Sequence, residues 1–331
     1  MAGSKPSLGS TEFEKSIANL DKNIEALAAT GQYEDQVDEL RQTRERLVEE
    51  FFSHLSSWDE VELARHLERP YSLDYIRSIF DEYIELHGDR LVGDDQAIIG
   101  GLARFEGKPV MVIGQQKGRD LKERQLRNFG YAKPQGYRKA LRLMKIAEKS
   151  GLPVITFIDT PGADSNVASE ENNISDAIAR NLMEMSVLGT PIVSVIIGEG
   201  GSGGAIGLAV ADRILMLEHS IYSVIAPEGC AAILDTFGRD PGRKAEAAAC
   251  LKLTSSGAKQ LGVVDEVLPE PIGAAHRDPE TTVLTVKDGI SRHLNALLDL
   301  PIDEVLSRRY HKFRSMGVFA FASAAEPQPV A

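Results

Sequence analysis

An α/β protein built on a parallel sheet with helices on both faces is the fold class that this 331-residue chain predicts. Three observations carry that expectation. Proline opens three apolar, β-branched runs: Lys108-Pro109-Val-Met-Val-Ile, Leu152-Pro153-Val-Ile-Thr-Phe-Ile and Thr190-Pro191-Ile-Val-Ser-Val-Ile-Ile. These runs do not alternate apolar with polar residues, so each strand is expected to be covered on both sides. The second and third runs each end in a glycine loop followed by a helical segment, the repeat of a strand–helix unit.

The elements follow in chain order. Phe13, Ile17, Leu20, Ile24 and Leu27 are spaced 4-3-4-3, a heptad stripe. After a break at Thr30-Gly31-Gln32, Val37, Leu40, Leu47 and Phe51 form a second stripe, which predicts a helical hairpin. The hairpin reads either as a solvated amphipathic arm or as a subunit-contact arm, and contact is favoured because two short stripes need something to pack on. Tyr137–Ser150, Ser175–Leu188 and Ala205–Ala211 read as helices of the core, and Arg213–Glu218 as a fourth strand. Beyond Pro269-Glu-Pro271 the chain loses its strands, with helical segments at Val286–Leu298 and Ile302–Phe313. The tail from Ala320 is small and proline-containing and is expected to fray.

Composition bounds the function. Hydrophobic residues make up 43% of the chain and the net charge is -12, which argues for a globular protein and against a nucleic-acid partner. Charge is uneven: residues 11–62 carry 14 acids and 5 bases, residues 117–145 carry 10 bases and 2 acids. Only Cys230 and Cys250 are present, too few for a disulfide framework or a four-cysteine zinc site, and the histidines have no metal-ligand spacing. No bound metal is expected. With no run of about 18 apolar residues and no secretory or transit pattern, the expected location is the cytoplasm.

The third apolar run leads into Gly198-Glu-Gly-Gly-Ser-Gly-Gly204-Ala205, five glycines in seven residues. A strand–glycine–helix junction aims bare N–H groups at whatever sits before the helix, an anion or an oxygen on which negative charge develops. Several templates fit it. Gly198, Gly200 and Gly203 match the dinucleotide fingerprint, with Glu218 at the expected distance, although this is the third strand unit rather than the first. Gly200-Gly-Ser202-Gly-Gly204 matches the nucleophile elbow of esterases, with Asp265 and His276 following in order. Small residues around Ser202 speak rather for close approach of backbone to a ligand. Asp159-Thr-Pro-Gly162 resembles a GTPase loop, but no upstream phosphate loop accompanies it. Met144-Lys145-Ile146 matches the biotin-attachment tripeptide but falls within a predicted helix. The basic segment is broken by Gly118, Gly130 and Gly136 and follows a strand end, so it is either a solvated face or a seat for a phosphate-bearing ligand.

Taken together the motifs resemble the carboxyltransferase α subunit of bacterial and plastid acetyl-CoA carboxylase. They are Arg69-Pro-Tyr71-Ser-Leu-Asp-Tyr75, Gly88-Asp-Arg90, Gly114-Gln-Gln-Lys-Gly-Arg119 and Gly136-Tyr-Arg-Lys-Ala-Leu-Arg-Leu-Met144. Phe157-Ile-Asp-Thr-Pro-Gly-Ala163, the glycine junction, Tyr222-Ser-Val-Ile-Ala-Pro-Glu-Gly-Cys230 and Pro269-Glu-Pro-Ile-Gly-Ala-Ala-His276 complete the set, in the same order. The resemblance implies a crotonase-like spiral of β-β-α units, with residues 1–90 as arm and joint, 91–275 as carboxyltransferase core and 276–331 as C-terminal helices and tail.

It also implies an α2β2 assembly with a zinc-ribbon β subunit, a biotin carboxyl carrier protein that presents carboxybiotin, and biotin carboxylase in the wider ATP-using complex. No cofactor is bound covalently; the carboxyl group passes to acetyl-CoA, giving malonyl-CoA for fatty acid synthesis. By motif position Gly203 and Gly204 form the oxyanion hole for the biotin ureido oxygen. Gly162, Ala163, Gly200 and Gly201 fall at the substrate, with Lys117, Arg119 and Arg138 from the basic segment. Alternatives are another acyl-CoA carboxyltransferase, a weakened assembly subunit, or a serine hydrolase of the same superfamily. After Ala163 the family continues Tyr-Pro-Gly and Ala-Glu-Glu-Arg-Gly-Gln, whereas this chain reads Asp164-Ser-Asn-Val-Ala-Ser-Glu170-Glu-Asn-Asn-Ile-Ser175. The tryptophan common after the Gly-Cys-Ala motif is absent, with Asp235 near its place.

Overall fold

A computed structural model describes residues 9–317 apart from residue 32; the expected frayed tail lies outside the described residues. The arm is the hairpin of α1 (Ser10–Ala28) and α2 (Glu34–Phe52). Phe13 and Ile17 pack against Val48 with Phe51 and Phe52, and the Phe13 and Phe51 rings stack at 3.9 Å. In the second stripe Val37 is buried and Phe51 packs inward as expected, but Val48 takes the inward place expected for Leu47, which is exposed. Ser10 fastens the arm, its N–H on Asp59 at 3.0 Å and its hydroxyl on Glu62 at 2.6 Å.

Helices α3 (Ser57–Ala64) and α4 (Ser72–Ile79) form the joint. Between them the buried Arg69 donates to Ile197 O at 2.7 Å and to Glu270 at 2.9 Å. Then come β1 (Asp81–Glu85), β2 (Ile98–Phe105) and β3 (Lys108–Gln115), α5 (Leu121–Leu126) and α6 (Pro134–Lys149), and β4 (Val154–Thr160). They are followed by α7 (Val167–Glu171), α8 (Ile174–Val187), β5 (Ile192–Gly201), α9 (Ser202–Ala209), β6 (Arg213–Leu217) and β7 (Ile221–Ser223). The remainder comprises α10 (Pro227–Ile233), α11 (Lys244–Leu251), α12 (Ser255–Gln260), β8 (Glu266–Leu268), α13 (Pro279–Leu298) and α14 (Ile302–Arg314).

The sheet order is β1-β2-β3-β4-β5-β6-β8, with β7 beside the end of β5. From β3 onward all pairs are parallel, as expected, but β1, β2 and β3 are antiparallel neighbours, so the sheet is mixed. The cause is local. Glu106 and Gly107, the two residues between β2 and β3, both have positive φ (49° and 78°), the signature of a type I′ hairpin turn.

Successive residues of the central strands serve opposite layers. Met111, Ile113, Val154, Ile158, Ile192 and Ile196 face α6, α8 and α9. Val110, Val112, Ile155, Phe157, Val193 and Val195 face α4 and α13. No described helix is long and apolar enough to cross a membrane.

A buried carboxylate shapes the segment before β2. Asp89 accepts N–H groups from Leu91, Val92 and Gly93, each at 2.9 Å, and Arg138 at 3.1 Å. Beside it Asp94 meets the buried Lys139 ammonium at 2.5 Å. Burial opposes ionisation of Asp94, but Lys139 and the Gly88 N–H outweigh it and hold the pKa down from 3.8 to about 2. A depressed carboxyl pKa stabilises the fold above the unfolded value, and that stability is lost as pH falls through the folded one. Urea midpoints for the native chain and Asp94→Asn should therefore differ near pH 5 and converge between about pH 4 and pH 2.

Candidate functional site

The glycine junction lies where β5 stops and α9 starts. Helix α9 begins at Ser202, earlier than the expected Ala205, and ends at Ala209. Ser202 is exposed and has φ +50°, so the chain turns sharply at this residue. No side chain caps α9. The N–H groups of Gly203 and Gly204 therefore sit in a first turn that offers them no intrahelical acceptor and places the positive end of the helix dipole behind them.

The glycines have different reasons. A Cβ on Gly200 would meet the Tyr222 ring at 2.8 Å, and one on Gly201 would lie 2.2 Å from Pro161 O. At Gly204 it would fall 2.5 Å from Gly162 C and 2.7 Å from Ala163 N. At Gly203 it would meet only Ile178, at an ordinary 3.6 Å. Packing within the chain thus requires three of these glycines and leaves Gly203 free.

These same contacts bring Gly162 and Ala163 against the junction. Thr160 Oγ1 donates to Gly162 O at 2.7 Å, and Ala163 bridges Ala132. The atypical loop that follows is ordered by its own polar groups. Asn166 caps α7 through Ser169 N at 2.9 Å, and Asp164 accepts from Ser169 Oγ at 2.6 Å.

A cavity of about 480 Å³ opens beside Pro161, lined among others by Arg65, Tyr71, Lys117, Arg124, Phe129 and Glu199. Charges alternate along its wall. Lys117 Nζ lies 2.7 Å from Asp159 and 3.6 Å from Glu199, while Arg65 bridges Glu199 and Glu228, both at 2.7 Å. Burial pulls the Lys117 pKa down, but Asp159 and Glu199 outweigh it and leave it above the usual lysine range. The same balance raises Arg65 and lowers Glu228. Lys117, Arg65 and Glu228 are thus each shifted toward their charged forms. Arg124 lies over the Phe129 ring at 5.3 Å.

Of the predicted site residues, the structure brings together Gly162, Ala163, Gly200, Gly201, Gly203 and Gly204, and Lys117 lines the adjoining cavity. Arg119 and Arg138 lie elsewhere. Arg119 donates to Leu67 O and Arg69 O, pairs with Asp74 and stacks on Tyr71 at 4.2 Å. Arg138 joins Asp89 to Asn172 O, at 3.1 and 3.0 Å. Most of the basic segment is likewise spent inward: Arg127, Lys139 and Arg142 all bond to neighbouring carboxylates or carbonyls.

The other templates find no support in the geometry. Asp265 holds Ile214 N at 2.7 Å and pairs with Lys312, while His276 stacks on His66 at 3.9 Å and meets Glu14 at 3.2 Å. Neither bonds to Ser202. Glu218 accepts from Glu270 N at 3.0 Å, and Lys145 pairs with Glu184 at 2.6 Å within α6 packing. Among the described residues no cluster is suited to a metal ion. Sequence reasoning missed Arg65, Glu199 and Glu228 as cavity residues. Glu199 stands inside the glycine junction and Glu228 inside a quoted motif, but Arg65, at the end of α3, carries no signal of its own.

A family model described as acetyl co-enzyme A carboxylase carboxyltransferase-like matches residues 10–317. This chain belongs to that family. A Geobacter metallireducens protein named acetyl-coenzyme A carboxylase carboxyl transferase subunit alpha is 51% identical over 313 residues, 93% of this chain and 98% of the relative. Proteins of the same name from Fusobacterium nucleatum and Xanthomonas axonopodis pv. citri are each 50% identical over 93% of this chain, covering 99% and 97% of their own lengths.

Solved structures extend the likeness at the level of the fold. A transcarboxylase 12S with hydrolysed methylmalonyl-coenzyme A bound aligns with TM-score 0.55 and 20% identity, over 72% of this chain and 44% of the other. A Pseudomonas malonate decarboxylase hetero-tetramer in complex with coenzyme A aligns with TM-score 0.53 and 18% identity, over 66% and 85%. The α/β fold is therefore shared with proteins only 18–20% identical to this chain.

Proposed function

We propose that this chain is the α subunit of the acetyl-CoA carboxylase carboxyltransferase. In this reading it works with a β subunit in an α2β2 assembly, receives the biotin carboxyl carrier protein, and converts acetyl-CoA to malonyl-CoA in the cytoplasm. The core of residues 91–275 is read as the crotonase-type spiral, the arm and joint to residue 90 as a subunit contact, and residues 276–331 as the C-terminal helical segment and tail.

The observation that carries the proposal is the uncapped first turn of α9 with an open Cβ position at Gly203. Carboxybiotin, when presented there, supplies the carboxyl group to be transferred. The N–H groups of Gly203 and Gly204 are donors for an oxygen that gains negative charge as the carboxyl group departs, and fixed donors favour that charge over the neutral ground state. Gly162 and Ala163 pack behind the turn and Gly200 and Gly201 set its approach, while Lys117, paired with Asp159 and Glu199, belongs to the charged wall of the adjoining cavity. The chemistry asks for backbone donors rather than a side-chain nucleophile, which accounts for glycines where a hydrolase would place a triad.

The test is direct. The chain assembled with a β-type partner should decarboxylate malonyl-CoA in a reaction that depends on added free biotin. An assembled complex with no such activity overturns the proposal.

A further inference from the structure

Helix α9 has little intrinsic stability. Its sequence, SGGAIGLA, places three glycines in eight residues and carries no side-chain cap. Glycine is the poorest helix former after proline, so the position of this helix must be imposed from outside. Five side chains from five other elements impose it, and all five are fully buried. Gln115 Nε2 at the end of β3 and the Tyr137 hydroxyl of α6 donate to Gly204 O, at 2.7 and 3.3 Å. Asn181 of α8 donates to Gly207 O at 3.0 Å. The hydroxyls of Thr156 in β4 and Ser194 in β5 reach Leu208 O, at 2.9 and 3.2 Å.

Only Gln115 and Tyr137 act on the turn that carries the donors. Gln115 does more, because its Oε1 accepts the Asp159 N–H at 3.1 Å. Asp159 in turn holds Lys117 and the Glu199 N–H, the latter at 3.0 Å. One buried amide therefore ties the glycine turn to the charged wall of the cavity. A core glutamine is tolerated only when both ends are bonded. Here one end is on the wall and the other on the turn.

We propose that Gln115 is a positioning residue for the carboxyl transfer: its amide locks the Gly203–Gly204 turn in place against Asp159. This rests on the reading of Gly203 and Gly204 as the oxyanion donors. Donors fixed beforehand need no reorganisation as charge develops. A displacement of about 1 Å in such a site costs about 10²-fold in rate.

The test uses the assembled complex and biotin-dependent malonyl-CoA decarboxylation. Gln115→Leu is expected to lower kcat about 10²-fold with KM for malonyl-CoA unchanged. Asn181→Leu, which releases the other end of the same helix, should lower the melting temperature but keep the native kcat. Native kcat in Gln115→Leu overturns the proposal. Should Gln115→Leu not fold, Tyr137→Phe removes the second donor with a single atom; a severalfold fall in kcat at constant KM supports the proposal and an unchanged kcat overturns it. Gly203→Ala separates the two layers of argument. If Gly203→Ala is inactive while Gln115→Leu is fully active, the positioning role alone falls. If both are fully active, the donor reading beneath it falls as well.

Discussion

Gly203→Ala is expected to leave the chain folded and to lower kcat of the assembled complex by about 10²-fold. The added methyl meets only Ile178 at 3.6 Å, and alanine is preferred to glycine in a helix by roughly 0.5–1 kcal/mol. Its melting temperature should equal or exceed that of the native chain. The cost falls on whatever must approach the N–H groups of the first turn. Gly204→Ala should behave in the opposite way. There the methyl runs into the backbone of Gly162 and Ala163 at 2.5–2.9 Å, and backbone cannot swing aside as a side chain can. The pair is read by circular-dichroism melting together with turnover. Native turnover in Gly203→Ala would remove that glycine from the site.

The second large effect lies far from the chemistry. Arg309 of α14 is buried and donates to Asp212 at 2.8 and 2.7 Å, and to the carbonyls of Met185, Leu188 and Thr190 at 2.7–2.9 Å. One guanidinium therefore gathers the end of α8, the approach to β5 and the approach to β6. Asp212 uses its Oδ2 also to accept Ile192 N at 2.7 Å. Arg309→Met leaves the buried Asp212 carboxylate without its counter-charge and takes a donor from each of three carbonyls, with an expected loss of about 3–5 kcal/mol. Arg309→Met combined with Asp212→Asn should cost less than the single change, because no buried charge is left alone. Urea unfolding of the three proteins measures both. A double variant less stable than Arg309→Met would show that the ion pair is not what the arginine supports.

What the sequence revealed followed from strong local signals. Pro109 at the start of β3 and Pro153 and Pro191 just before β4 and β5 mark true strand entries, and unbroken β-branched runs mark strands covered on both faces. Strand β2 escaped notice because its Gly100-Gly101 pair interrupts the apolar pattern and its turn depends on Glu106 taking a left-handed conformation. Helix α13 begins at Pro279 rather than Val286, since Asp278 caps it through Thr281 N at 3.0 Å and proline suits the first helical position. In the site, the glycines were legible because chain reversal and close approach demand them. Arg65 and Gln115 were not, because their partners are 134 residues away in one case and 89 in the other. Thr156 and Ser194 read as ordinary strand residues, although their hydroxyls hold a helix.

The margins of the sheet are short and charged. On one side β1 runs only from Asp81 to Glu85, breaks register between Asp81 and Ile84, and sets Glu82 against Arg104. On the other, β8 has three residues, with Glu266 tied to Arg292 and His293. Brevity, an irregular register and charged side chains all discourage a foreign strand from adding to an open margin. In the multi-subunit assembly proposed above, the chain gains from this. Its neighbours must recognise it by the shape and chemistry of its side chains, and the backbone ladder stays closed to the indiscriminate pairing that leads to aggregates.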